Sequence, residues 1–142
     1  MQSGSKITDD RGHIIFNNNI KLEGVKRFYV VGNHQANFIR AWHGHKIERK
    51  YITCISGAAI VCYIPMDYDK FEDQKSIVKR AVLSPNGSVI EIPAGNYNGW
   101  MSLTNDTQLL VLSCSTLEES TGDDYRKEVD FFNTDVWKII QR

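Results

Sequence analysis

Short apolar runs that alternate with turn residues constrain the fold of this chain more than any other feature. The runs are rich in β-branched and aromatic residues, and Gly, Pro, Asn or Ser usually follows them; they occupy residues 13–16, 25–31, 51–55, 58–64, 88–92 and 107–113. Each run has the length of a strand, and no segment before residue 123 keeps a helical period. The pattern predicts an all-β sandwich or barrel. Only residues 133–142 (NTDVWKIIQR) predict a short C-terminal helix, with Asn133 or Asp135 as its N-cap.

The length of the chain fits one domain. A domain of 142 residues buries roughly 68–70% of the surface that its unfolded chain exposes, so it needs no disulfide or metal to fold. No linker or internal repeat interrupts the sequence. We therefore expect a single domain that spans residues 1–142.

The composition argues against several classes of partner. The 17 basic and 17 acidic residues cancel, and without a basic stripe the chain lacks the signature of a nucleic-acid binder. No stretch approaches the roughly 20 apolar residues of a membrane span, and the N-terminus has no apolar signal region. The three cysteines, Cys54, Cys62 and Cys114, lie in apolar surroundings that indicate free thiols. We expect a cytoplasmic protein that binds neither nucleic acid nor membrane.

The segment RAWHGHKIERK, residues 40–50, concentrates the chemistry. On a strand, alternate side chains face the same way, so His43 and His45 should share one face with Ile39 and Ala41. That face is expected to line the interior of the barrel. If residues 46–49 form a turn that resets the alternation, Lys50 returns to the same cavity.

Three readings of the two histidines are possible. A pair at i and i+2 is a common beginning of a metal site, but a third ligand is hard to find, because NYNG follows the PAG turn at residues 93–95 where another histidine would be expected. Structural histidines are the second possibility. Arg40 and Lys50 favour the third, an acid–base site, because burying several cationisable groups without a function is costly. We predict no metal and no other cofactor.

Three segments together resemble a known family. RAWHGHK, KYITCISG and LSPNGSVIEIPAGNYNGW resemble the cupin nucleotide-sugar enzymes, which include the dTDP-4-dehydrorhamnose 3,5-epimerases and the WxcM-like dTDP-sugar 3,4-ketoisomerases. The similarity runs from DDRG (9–12) to DDYR (123–126), over nearly the whole chain. It implies a double-stranded β-helix, or cupin jelly-roll barrel, and a homodimer.

The resemblance also implies a function and a set of site residues. We expect a cofactor-independent isomerase or epimerase of a nucleotide-linked 4-keto-6-deoxyhexose, which serves bacterial surface-glycan biosynthesis. His43 is the predicted base, and His45 either carries a second proton or orients His43. Lys50 and Arg40 supply positive charge, and Tyr97 is the preferred acid among the tyrosines. The remaining residues expected to contact substrate are Arg27, Tyr29, Asn98 and Trp100.

Departures from the family pattern keep alternatives open. The 3,5-epimerases carry paired tyrosines after the last core strand, where this chain has Thr116 and Leu117. The paired histidines favour 3,4-ketoisomerisation, whereas Lys50 favours 3- or 5-epimerisation. A non-catalytic cupin that binds a sugar or nucleotide-sugar is the alternative function. A metal-dependent cupin oxygenase is a third.

Overall fold

The structure is a computed structural model that describes the backbone of residues 1–142 and all side chains except those of residues 74 and 75. The described backbone contains eleven strands, two short α-helices and two 3-10 turns. The strands are β1 (Ser5–Asp9), β2 (Gly12–Phe16), β3 (Arg27–Gly32), β4 (Ile39–His45), β5 (Lys50–Ser56), β6 (Ala59–Pro65), β7 (Lys79–Leu83), β8 (Val89–Ile92), β9 (Asn96–Ser102), β10 (Gln108–Ser113) and β11 (Tyr125–Arg126). The helices are α1 (Gln74–Ile77) and α2 (Leu117–Thr121), and the 3-10 turns are Tyr68–Lys70 and Thr134–Trp137.

Two antiparallel sheets form the body of the molecule. One has the strand order β3-β10-β5-β8 and the other β11-β4-β9-β6-β7. Apart from the β6–β7 pair, strands that are neighbours in a sheet are not consecutive in sequence, and successive strands from β3 onward lie in opposite sheets, as in a jelly roll. The all-β prediction and its jelly-roll architecture are confirmed.

Apolar side chains pack in two layers. The inner layer lies between the sheets and contains Val61, Leu83, Ile90 and Leu109, with Trp100 at its edge toward the functional cavity described below. The outer layer covers the other face of the five-stranded sheet and is built around Trp42, Phe132 and Trp137. Residues from the C-terminal segment therefore form part of the core.

The C-terminal segment is less helical than the sequence pattern suggests. It makes the single 3-10 turn Thr134–Trp137, which Asn133 caps as predicted by accepting a hydrogen bond from the Asp135 N–H. The guanidinium of Arg80 then donates to the carbonyls of Val136 and Lys138. These two carbonyls accept hydrogen bonds from a side chain, and not from the backbone N–H groups that would extend the helix.

A bulge in β4 changes which residues face the cavity. Arg40 pairs with Trp100 and His43 with Asn98, so two residues of β4 face one residue of β9 between these pairs. A bulge of this kind reverses the alternation of side chains. The residue opposite the bulge is Gly99, where an added Cβ would lie 2.5 Å from the Cβ of Ala41.

This bulge corrects one prediction from the sequence. Ile39 and Ala41 pack in the outer layer beside Trp42, and not on the same face as His43 and His45. Simple alternation cannot reveal the extra residue.

None of the helices in the described part of the chain is long and apolar enough to span a membrane.

Candidate active site

A cavity of about 380 Å³ lies between the two sheets. It contains eight of the nine side chains that the sequence nominated, which are Arg27, Tyr29, Arg40, His43, His45, Lys50, Asn98 and Trp100. Polar residues that the sequence analysis did not nominate complete the lining, namely Glu48, Ser120, Thr121, Asp124 and Arg126. The cavity thus joins strands from both sheets with the segment that follows β10.

Tyr97 is the nominated residue that does not line the cavity. It lies on β9 between Asn96 and Asn98, and its ring faces the outer layer, where it packs 5.8 Å from the ring of Phe132. Because neighbouring residues of a strand face opposite ways, Asn98 and Trp100 face the cavity and Tyr97 does not. The position of its side chain therefore gives no support to the prediction that Tyr97 is the general acid.

Glu48 occupies the floor of the cavity and has no exposed side-chain surface. Its Oε1 atom accepts hydrogen bonds from Arg27 Nη2 at 3.1 Å and from Ser113 Oγ. Its Oε2 atom lies 3.1 Å from His45 Nε2 and 3.8 Å from Lys50 Nζ. Ser120 Oγ also donates to Oε2, at 3.3 Å. One buried carboxylate therefore gathers three cationisable side chains.

His45 is held at both ring nitrogens. Its Nδ1 atom lies 2.5 Å from the carbonyl oxygen of Asp123, and because a carbonyl can only accept, Nδ1 carries a proton. Its Nε2 atom lies 3.1 Å from Glu48 Oε2. With both nitrogens engaged by the protein, His45 is suited to organising the floor and not to meeting a substrate.

His43 differs from His45 because no described side chain or backbone group hydrogen-bonds to its ring. Burial lowers the pKa of His43 below 6.5, and the positive charges of Arg126 and Lys50 lower it further, against the opposing effect of Asp124. The backbone of His43 is fixed by Asn98, whose Nδ2 donates to its carbonyl at 3.0 Å. The result is a neutral, half-buried imidazole with a free nitrogen in the cavity.

Tyr29 and Lys50 complete the chemically useful groups. Burial is the main reason that the pKa of Tyr29 rises to about 12, and the negative charge of Glu48 adds to it. Arg27 lies over the Tyr29 ring, with its guanidinium carbon 5.1 Å from the centroid. Burial lowers the pKa of Lys50, while Glu48 raises it. The cavity thus holds a protonated phenol beside several cations.

Two further arginines face the cavity. Arg40 donates to the Asn33 side chain at 2.8 Å and to the Gly32 carbonyl at 3.2 Å. Arg126 pairs with Asp124, with Nη2 and Oδ2 3.2 Å apart. The lining therefore contains more cationisable side chains than carboxylates, which favours an anionic ligand.

Asp123 fixes the turn that returns Lys50 to the cavity. Its carboxylate accepts the backbone N–H groups of residues 46, 47 and 48 at 2.7 to 2.9 Å. Burial raises the pKa of Asp123, but these three donors and His45 outweigh that effect and hold the pKa below its usual value. The sequence analysis expected the turn but had no signal for its acceptor, 75 or more residues away.

No group of three or more His, Cys, Asp or Glu residues among the described side chains is arranged to hold a metal ion.

Glu48 is the site residue that the sequence reasoning missed most clearly. It lies in the segment KIER, which looks like a solvated turn. A glutamate three residues after His45 was the available signal.

Comparison with known proteins identifies the family. Residues 1–137 match the family model described as FdtA: WxcM-like, C-terminal. The chain belongs to this WxcM-like family. No curated protein sequence matches it.

Solved structures share the fold of this WxcM-like chain at low sequence identity. The QdtA 3,4-ketoisomerase of Thermoanaerobacterium thermosaccharolyticum, as a double mutant in complex with TDP, is 22% identical with a TM-score of 0.66, and the match covers 91% of this chain and 86% of that one. The WlaRB TDP-quinovose 3,4-ketoisomerase of Campylobacter jejuni is 19% identical with a TM-score of 0.66, covering 89% and 90%. The rmlC epimerase of Mycobacterium tuberculosis is 16% identical with a TM-score of 0.67, covering 87% and 66%. These likenesses establish the cupin fold of the WxcM-like chain.

The Asp123 carboxylate should stabilise the fold in a pH-dependent way. Replacing Asp123 with Ala removes the acceptor of three backbone N–H groups and should lower the free energy of unfolding by about 2–4 kcal/mol at pH 7. Because the pKa of Asp123 is lowered from 3.8 in the folded state, this contribution is complete above the unfolded pKa and disappears as the pH falls through the folded pKa. Urea unfolding of both proteins between pH 7 and pH 3 measures the difference. A gap below 0.5 kcal/mol at pH 7 would contradict the assignment.

Proposed function

We propose that the protein is an acid–base isomerase of a nucleotide-linked 4-keto-6-deoxyhexose, and that it catalyses 3,4-ketoisomerisation. The observation that carries the proposal is the unpartnered imidazole of His43 in a cavity lined by cations and a protonated phenol. Membership of the WxcM-like family supports the proposal. So does the occurrence of TDP-sugar ketoisomerases among the structures that share the fold.

The first step is removal of the proton at C3 of the sugar. This proton is weakly acidic because it is adjacent to the C4 ketone, and its loss leaves an enediolate across C3 and C4. His43 is suited to accept the proton because its lowered pKa keeps the imidazole neutral near pH 7. A positioned base of this kind contributes on the order of 10²- to 10⁴-fold to the rate.

In the second step the protonated His43 gives its proton to C4, and the O–H proton of the C3 hydroxyl passes to the oxygen on C4, so that the ketone moves to C3. Lys50 and Arg27 lie beside the Glu48 floor and supply positive charge near the enediolate oxygens. Tyr29 is the tyrosine among the described side chains that lines the cavity, and its high pKa keeps it protonated as a hydrogen-bond donor. It takes the role that the sequence analysis gave to Tyr97. These steps use protein groups alone and no cofactor.

The remaining charge suits the nucleotide part of such a substrate. Arg40 and Arg126 line the cavity on β4 and β11, and a guanidinium binds phosphate oxygens in a bidentate manner. Trp100 presents an aromatic surface in the same cavity. We assign the two arginines to the diphosphate, and we place the reaction in the cytoplasmic supply of sugars for bacterial surface glycans.

Epimerisation at C3 is a second candidate, because the Lys50 cation that stabilises the enediolate would serve both reactions. In epimerisation the proton returns to C3 on the opposite face of the ring, whereas in ketoisomerisation it is added to C4. A non-catalytic nucleotide-sugar-binding cupin would bind the ligand in the same cavity but would not exchange its protons.

The first prediction concerns the base. His43→Asn should reduce turnover of dTDP-4-keto-6-deoxyglucose by about 100-fold or more, because the group that accepts the C3 proton is lost. In the wild type, kcat/KM should fall on the acid side with a midpoint below 6.5, since the pKa of His43 is lowered. Proton NMR of substrate consumption measures both, with the exposed His13→Asn as the matched control. Turnover within threefold of wild type in His43→Asn would refute the assignment.

The second prediction separates two tyrosines. Tyr29→Phe should lower kcat by about 10-fold or more, because it removes the donor in the cavity and preserves the ring. Tyr97→Phe is the matched control and should stay within threefold of wild type, since the Tyr97 ring faces the outer layer. Initial rates from the same NMR assay distinguish them. The opposite order of effects would restore Tyr97 as the acid.

We also propose that two copies associate through the four-stranded sheet and the β1–β2 hairpin. The outer face of this sheet exposes Phe28 (71%), Val30 (49%) and Ile55 (45%). In the described backbone β1 and β2 pair with each other as a separate sheet, and Ile7 and Ile14 are exposed on it. The exposed apolar side chains of the sheet and the hairpin are the surface that a second copy would cover.

Light scattering tests this association directly. The wild type should be a dimer at micromolar concentration, and Phe28→Asp should shift it toward the monomer because a charge would replace a large exposed apolar side chain. A monomeric wild type would refute the dimer.

A further inference from the structure

The cavity floor is organised around a carboxylate for which the reaction itself has no step. Glu48 contacts Arg27, His45 and Lys50 with distances of 3.1, 3.1 and 3.8 Å, and two serine hydroxyls occupy its remaining acceptor positions. We propose that Glu48 is a positioning residue, whose carboxylate holds Arg27, His45 and Lys50 together at the cavity floor, so that Arg27 and Lys50 present their charge to the substrate. The predicted effect on turnover rests on the proposed function, whereas the predicted effect on the charge of Lys50 does not.

The buried position of Glu48 makes a passive role costly. Its side chain has no exposed surface, and an unpaired charge in such a place would be strongly destabilising. The three cationisable neighbours would also repel one another if no negative charge stood between them. The carboxylate and its neighbours therefore depend on each other, and removing the carboxylate frees the neighbours to move apart or lose protons.

Lys50 is the neighbour whose charge state should depend most on Glu48. Its side chain is 9% exposed, and burial, the largest influence, lowers its pKa. Glu48 raises that pKa more than any other group does. Arg27 lowers the pKa of Lys50, whereas Asp123 and Asp124 raise it. The other charged or titratable groups that line the same cavity are His43, His45, Tyr29, Arg40 and Arg126.

The charge of Lys50 can be measured without substrate. In Glu48→Gln, acetylation of Lys50 by trace acetic anhydride should reach half-maximum at a pH lower than in wild type by about one unit or more, because a neighbouring opposite charge shifts a pKa by about 1–3 units. Peptide mass spectrometry across a pH series measures this midpoint. The matched control is Glu91→Gln, which removes a half-exposed carboxylate that pairs with Arg49 and should leave the Lys50 midpoint unchanged. Equal midpoints in wild type and Glu48→Gln would overturn the proposal.

The kinetic arm uses a pH signature that a merely structural role would not produce. Turnover by Glu48→Gln should fall about 10-fold or more at pH 8, and the deficit should narrow as the pH decreases and Lys50 regains its proton. A deficit that is constant with pH would overturn the proposal. Wild-type protein without turnover would overturn the proposed function, while the acetylation comparison would still decide the role of Glu48.

A second substitution, Glu48→Asp, tests the same proposal if Glu48→Gln does not fold. Glu48→Asp keeps the charge and withdraws it by one methylene, so the Lys50 midpoint should fall between those of wild type and Glu48→Gln. Should Glu48→Gln prove unfolded in a thermal melt, the same comparison of Glu48→Asp with wild type decides the question, and an unchanged midpoint again overturns the proposal.

Discussion

A carboxylate without solvent must be matched by donors, and in this barrel the Glu48 carboxylate meets that requirement with groups from four parts of the chain. Arg27 comes from β3, Ser113 from β10, Ser120 from α2, and His45 from the end of β4. Each donor fixes its own element relative to the cavity floor. The Glu48 charge can be buried only when all of these elements are in place, so the electrostatics of the site depend on correct packing of the barrel.

Two local features of the backbone place the functional side chains in the cavity. The bulge in β4 places Arg40 and His43 on the same side, although three positions separate them, and sends Trp42 into the outer layer. The Asp123 carboxylate then closes the turn after His45 by accepting three backbone N–H groups. The result leaves His43 free in the cavity while His45 is tied at both nitrogens. Two histidines that look equivalent in the sequence therefore have different chemistry.

The sequence predicted what depends on local pattern and failed where the outcome depends on distant contacts. The apolar runs predicted the strands, and the segment 40–50 predicted that His43, His45 and Lys50 line one cavity. The β4 bulge could not be predicted from β4 alone, because it depends on pairing with Gly99 on the opposing strand. The burial of Glu48 needed the positions of its donors, which lie up to 72 residues away. Tyr97 follows the turn before β9, but alternation along the strand places its ring in the outer layer and away from the cavity.

The central claim is that a free imidazole in this cavity removes a proton next to a sugar ketone. Incubation of the wild-type protein with dTDP-4-keto-6-deoxyglucose in D2O, followed by proton NMR, tests it most directly. We expect loss of the C3 proton signal together with signals of a 3-keto sugar. Exchange at C3 without migration of the carbonyl would indicate epimerisation and would contradict the ketoisomerase assignment. Absence of exchange after hours at high protein concentration, with saturation-transfer contacts showing bound ligand, would contradict catalysis and favour the binding cupin.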